Sequence, residues 1–208
     1  MSRPSQNTRQ RPDFYAQQAK KDRYPARSVY KLMEIQQKFK ILRRGATAVD
    51  LGCAPGSWLL YTAEVVGPQG RVIGIDKTAV TIALPAQAAA YCMDMFALRT
   101  DDPIFNRKPA DVVLSDMAPA TTGSHVTDTA RSHELAVAAL EFAKTTLKPG
   151  GHFVCKLFQG EDFKLFTDMV KREFNRSAIF KPASCRKDSR ETYVIGLGKK
   201  ESSNVRSQ

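Results

Sequence analysis

The chain has 208 residues, enough for one ordinary domain with a substantial core. With 42% apolar and 25% charged residues it has a globular composition, and no apolar run nears the ~20 residues that cross a bilayer, which excludes a membrane span. The 32 Lys and Arg outnumber 21 Asp and Glu, and the resulting net charge of +11 favours a polyanionic partner, RNA or DNA.

Residues 1 to about 22 are expected to form a flexible basic arm, with one folded domain over 23–198 and a polar tail over 199–208. The stretch Met1 to Lys21 lacks the hydrophobic run of a secretory signal, so a cytoplasmic protein is expected. Its Arg-rich, acid-poor character leaves an organellar address open. Arg27 to Lys40 is predicted as a helix, from the stripe Val29, Leu32, Met33, Ile35, Gln36 and Phe39. Ala46 to Leu51 is a short strand, then a Gly/Pro turn, then a helix from Ser57 to Val66. Gly67-Pro68-Gln69-Gly70 breaks the chain before a second strand, Arg71 to Ile75, and a weak third strand falls near Ala89 to Met93. Asp111 to Ser115 reads as a buried strand and Thr129 to Leu147 as a helix, stopped by Lys148-Pro149-Gly150-Gly151. Strand His152–Leu157, helix Asp162–Phe174 and strands Ser177–Phe180 and Glu191–Leu197 complete the series. Strands alternating with helices predict a doubly wound α/β fold, a mostly parallel sheet covered on both faces.

Ligands on such sheets sit at the C-terminal strand ends, where the strand order reverses. The first strand ends in Asp50-Leu51-Gly52-Cys53-Ala54-Pro55-Gly56-Ser57-Trp58. Gly52 and Gly56 let the backbone approach a ligand where a Cβ would collide. The turn is not the G-x-G-x-x-G of dinucleotide folds: an acid precedes its first glycine, and Pro55 stands where a pyrophosphate would want an N–H. That suits a ligand with a zwitterionic amino-acid tail and no phosphate. Asp76, 24 residues beyond Gly52, ends the second strand where a carboxylate would grip a ribose diol. Asp94 follows the third strand, placed to accept from an adenine amino group, and Trp58 is expected to wall the site. Together these favour S-adenosylmethionine over a nicotinamide cofactor. The four cysteines, Cys53, Cys92, Cys155 and Cys185, form no C-x-x-C pair, and no metal site is expected.

The turn and four further segments resemble the FtsJ/RrmJ family, large-subunit (23S) ribosomal RNA uridine 2′-O-methyltransferases. The segments are Ala26-Arg27-Ser28-Val29-Tyr30-Lys31-Leu32, Ser115-Asp116-Met117-Ala118-Pro119, Phe153-Val154-Cys155-Lys156-Leu157-Phe158-Gln159-Gly160, and Ser189-Arg190-Glu191-Thr192-Tyr193. They occur in the family's order, and the likeness extends from about Tyr15 to Gly198. The resemblance implies a Rossmann-like seven-stranded methyltransferase. It implies a catalytic tetrad of Lys31, Asp116, Lys156 and Glu191, and cofactor contacts at Gly56, Trp58, Asp76, Asp94 and Asp116. One departure is Pro55-Gly56-Ser57-Trp58, where the family commonly has Pro-Gly-Gly-Trp; Ser57 falls where a helix begins, a position that suits serine.

Methyl transfer to a 2′-hydroxyl needs the oxygen in line with the methyl, and its proton removed. A lysine serves as base only when neutral, and its ordinary pKa of ~10.4 falls when it is buried or set beside a second ammonium, the neighbour that Lys31 is expected to be for Lys156. On the resemblance, Lys156 is the general base or alkoxide stabiliser, Asp116 bridges catalysis and cofactor, Lys31 positions the ribose or its phosphate, and Glu191 orients a lysine or the hydroxyl. Basic residues cluster at Arg3, Arg9, Arg11, Lys20, Lys21, Arg23 and Arg27, and again at Lys181, Arg186, Lys187 and Arg190. Tyr15, Tyr24 and Tyr30 lie among the first group as candidates for base stacking. The expected partner is 23S rRNA, within an assembled large subunit, bound by a monomer. Competing readings are 2′-O-methylation of tRNA or an mRNA cap, a non-catalytic RNA-binding assembly factor, and, more distantly, a nicotinamide-dependent oxidoreductase.

Overall fold

The computed structural model describes residues 13–99, 101–105, 108–186 and 188–201. Helices α1 (Phe14–Lys21) and α2 (Val29–Phe39) precede β1 (Thr47–Leu51), α3 (Ser57–Val66), β2 (Arg71–Asp76) and β3 (Ala88–Cys92). Then follow β4 (Ala110–Ser115), α4 (His125–Thr146), β5 (Leu147–Phe158), α5 (Phe163–Glu173), β6 (Phe174–Phe180) and β7 (Glu191–Lys199). The strands form one seven-stranded sheet in the order β3-β2-β1-β4-β5-β7-β6. β1 pairs in parallel with both β2 and β4, so the order reverses there and a crevice opens at their C-terminal ends. β7 runs antiparallel between β5 and β6.

Both sheet faces are covered, and side-chain alternation divides the core in two. Val49, Val113, Phe153 and Val194 face α4 and α5, joined there by Phe142 and Phe166. Their neighbours Ala48, Val112, Leu114, Val154 and Ile195 face α2 and α3, packing on Leu32, Ile35 and Leu59. A strand buried on both faces reads as an unbroken apolar run, as Asp111 to Ser115 does after its first residue. Among the described residues no helix is long and apolar enough to cross a membrane.

The element series follows the sequence expectation; beyond shifts of up to three residues at element ends, such as β6 beginning at Phe174 and not Ser177, four differences stand out. The expected flexible arm holds helix α1, started by Asp13, whose carboxylate accepts the Ala16 N–H at 3.3 Å. Asp13 also pairs with Arg27, which ties α1 to the segment entering α2. Residues 1–12 lie outside the described part. Helix α4 begins at His125, a turn earlier than expected, and β5 begins at Leu147, carried through the Pro-Gly-Gly segment by an irregularity in its pairing with β4. Finally, the polar tail is docked where it begins. The Lys199 ammonium donates to the Leu147 carbonyl at 2.8 Å and to that of Lys144, and Lys200 donates to the Arg172 carbonyl at 2.7 Å. Residues 202–208 lie outside the described part.

Candidate active site

β1, β2 and β4 deliver their last residues to one crevice, a cavity of about 530 Å³ lined by Gly52, Asp76, Asp94, Phe96, Asp116 and Met117 among others. Gly52 has φ +78°, and a Cβ there would lie 2.6 Å from Met117 Cγ, so glycine is needed both for the turn and for the close approach of β4's exit loop. Gly56, at φ +111°, starts α3. Asp76 Oδ2 accepts the Ala54 N–H at 2.9 Å and Oδ1 accepts that of Thr78 at 2.7 Å, which fixes the carboxylate at the cavity wall with lone pairs to spare. Asp94 caps the short 3₁₀ turn Met95–Ala97 and pairs with Lys77 at 3.0 Å. The Phe96 N–H and the Lys77 ammonium hold its carboxyl below the usual range.

Beneath this wall, Asp50 is fully buried and neither of its carboxylate oxygens has a protein partner. Burial, then the charges of Asp116 and Asp76, push its carboxyl well above the usual range. Three carboxylates within electrostatic reach of one another make this end of the sheet a place for a cation, and a poor one for a phosphate.

The four expected catalytic residues meet in two ion pairs. Lys156 lies opposite Tyr193 in the β5–β7 register, and Glu191, two residues before Tyr193, shares that face of the sheet. Asp116 follows β4 on the same face, that of Leu114. Lys156 Nζ stands 3.1 Å from Asp116 Oδ1 and donates to the Asp116 carbonyl. Lys31, on α2, reaches across to Glu191 at 2.8 and 2.9 Å to its two oxygens. Each lysine therefore has its own carboxylate. The expected Lys31–Lys156 pairing is not among these contacts.

Tyr193 was not among the expected site residues. Its buried hydroxyl donates to Asp116 Oδ1 at 2.7 Å, and burial beside Asp116 raises its pKa, which keeps the proton on the phenol. Period-two alternation from Glu191 is the signal that could have found it. Phe96 and Met117 also escaped, because no pattern in the sequence marks a loop residue as a cavity wall.

Trp58 is placed differently from expectation. The indole is buried away from the cavity lining, against Tyr193 at 5.9 Å between ring centroids, with Nε1 donating to the Ser28 carbonyl at 2.9 Å. Ser57 reaches the same segment, its hydroxyl accepting the Ala26 N–H at 2.7 Å; Gly56, not Ser57, caps the helix. The first turn of α3 thus holds the strand of chain that leads into Lys31.

Beside the Lys31–Glu191 pair lies a depression of about 260 Å³ lined by Arg27, Arg186 and Ser189 as well. The Arg27 guanidinium bonds Asp13 and the Ser184 carbonyl. Tyr15, Tyr24 and Tyr30 belong to the same region, though much of each is committed: Tyr15 packs on Tyr30, and the Tyr24 and Tyr30 hydroxyls donate to Glu64 and Asp22. Arg3, Arg9, Arg11 and Lys187 lie outside the described residues. Among the described residues no group of three or more His, Cys, Asp or Glu could hold a metal ion.

A seven-stranded sheet with an acidic crevice at its reversal point, and a pocket lined by Arg27, Lys31 and Arg186 besides, defines an α/β methyltransferase. The FtsJ-like methyltransferase family model matches residues 24–199, and the chain belongs to that family. It is 55% identical over 205 residues to the ribosomal RNA large subunit methyltransferase E of Desulfosudis oleivorans, covering 99% of each chain. It is 53% identical to the protein of the same name from Desulforapulum autotrophicum, over 90% of this chain and 93% of that one. Among solved structures, a protein described as a candidate ribosomal RNA methyltransferase from Plasmodium falciparum superposes with a TM-score of 0.74 at 25% identity, covering 85% of this chain and 98% of that one. Family membership implies a methyl donor.

Proposed function

We propose that the chain transfers a methyl group from S-adenosylmethionine to the 2′-hydroxyl of a uridine in 23S rRNA, acting on the large ribosomal subunit in the cytoplasm. The curated relatives' name supports the substrate, and the observation that carries the chemistry is the position of Asp116. Its side chain belongs at once to the cavity wall and to the Lys156–Tyr193 cluster, so donor site and acceptor site share one residue.

The cavity suits the donor. When bound, S-adenosylmethionine supplies an electrophilic methyl on a sulfonium and carries an ammonium as well. Asp50, Asp76 and Asp116 would oppose those positive charges, Asp76 would hold the ribose hydroxyls, and Phe96 with Asp94 would take the adenine end. The substrate hydroxyl must be oriented and lose its proton. Lys156 Nζ would steady the developing alkoxide or, in its neutral form, receive that proton, and Asp116 and Tyr193 determine where Nζ stands. Glu191 holds Lys31 with both oxygens, fixing a cation beside the depression where the target's ribose or phosphate would rest. All of these groups come from one chain, so a monomer suffices.

Replacing Lys156 with Ala tests the mechanism. Methyl transfer should fall by about 10²–10⁴-fold while the cofactor dissociation constant stays within a few-fold. Full activity in this variant would refute the role.

A further inference from the structure

We infer that Glu34 is a positioning residue for substrate binding, pinning the loop between β6 and β7 so that Arg186 and Arg190 bear on the RNA backbone. The inference rests on the reading that the substrate is RNA.

Glu34 lies three residues after Lys31 on α2, on the same face of the helix. Its Oε2 accepts the Ala183 N–H at 2.6 Å and its Oε1 the Ser184 N–H at 2.9 Å, so both oxygens grip adjacent peptide groups. Charge-assisted bonds of this kind are roughly twice as strong as neutral ones. Arg27 holds the same turn from the other side through the Ser184 carbonyl. The loop therefore has a foot, Pro182, Ser184 and Cys185, buried against α2, and an exposed rim carrying Lys181, Arg186 and Arg190. Lys181 donates across the loop to the Ser189 carbonyl at 2.7 Å, and Ser189 Oγ accepts the Glu191 N–H at 3.2 Å. One turn of α2 thus fastens this loop twice, through Glu34 at its foot and through the Lys31–Glu191 pair where it enters β7.

Charge alone predicts the opposite consequence. Removing an acid from a chain of net charge +11 should tighten binding to a polyanion. A positioning role predicts weaker binding, because freed loop cations no longer meet the phosphates as a preset group.

The test is steady-state methyl transfer to large ribosomal subunits isolated from cells lacking this enzyme, for wild type, Glu34→Ala and the isosteric Glu34→Gln. Glu34→Ala should raise KM for the subunits about tenfold, with kcat within about threefold and cofactor binding unchanged. The slope of log KM against log salt should become shallower by about 1–2 as loop–phosphate contacts are lost. Glu34→Gln, which keeps one acceptor oxygen, should fall between; it decides the matter should the alanine variant not fold. An unchanged or lowered KM, or a fall in kcat with KM unmoved, would overturn the assignment. A wild-type enzyme that leaves every RNA unmethylated would instead overturn the function on which it rests.

Discussion

Asp50 is a single buried group set against stability. An unpartnered carboxyl in the core costs free energy, more so once ionised, and its neighbours Asp76 and Asp116 add to the cost. Because the folded-state pKa is raised, the neutral carboxyl's contribution to stability is complete below the unfolded value of about 3.9 and is lost as pH rises through the folded one. Wild type should therefore lose thermal stability relative to Asp50→Asn as pH climbs from about 4, in melts at matched ionic strength. Once the pH has passed the raised folded pKa and Asp50 is ionised, the same variant should bind S-adenosylmethionine about tenfold more weakly, a ~1.4 kcal/mol loss of charge complementarity read by calorimetry. Parallel melting curves for the two proteins across that range would show that Asp50 does not titrate as its surroundings require.

Secondary elements fix where these residues stand, and the ends of elements are what sequence patterns resolve least well. Ser57–Val66 was legible to the residue because Gly56 and Gly67 bracket an apolar run. The start of α4 was not, since His125-Val126-Thr127-Asp128 is polar and β-branched and carries no helical stripe. In the site, Asp76, Asp94 and Asp116 were legible because each ends or follows a strand. Lys31 and Lys156 were legible only through the family likeness, and Tyr193 and Glu34 act through contacts 77 and about 150 residues away in the chain, which no local pattern encodes. Lys199 is another long-range device. Its ammonium satisfies the Lys144 and Leu147 carbonyls, where α4 runs directly into β5. Lys199→Met keeps the apolar stem and removes the donors, and should cost about 1–3 kcal/mol in denaturant unfolding. A loss below about 0.3 kcal/mol would mean that solvent replaces the ammonium without penalty.

At the scale of the whole molecule, one chain carries two charge regimes. The crevice over β1, β2 and β4 is acidic and suits a small cation, while the flank formed by α1, α2 and the β6–β7 loop is basic and suits a phosphate backbone. The net charge of +11 therefore says little about the cofactor and much about the partner. Asp116 lines the crevice and its carboxylate meets Lys156, so donor and acceptor would come together at that pair, as transfer between them requires. The most direct measurement supplies isotopically labelled S-adenosylmethionine to the purified chain with large-subunit RNA or subunits, small-subunit RNA and tRNA in separate reactions. Labelled RNA is then digested to nucleosides. The account predicts label in 2′-O-methyluridine from the large-subunit material and its absence with Lys156→Ala; label on a base, or label confined to tRNA or small-subunit RNA, would contradict it.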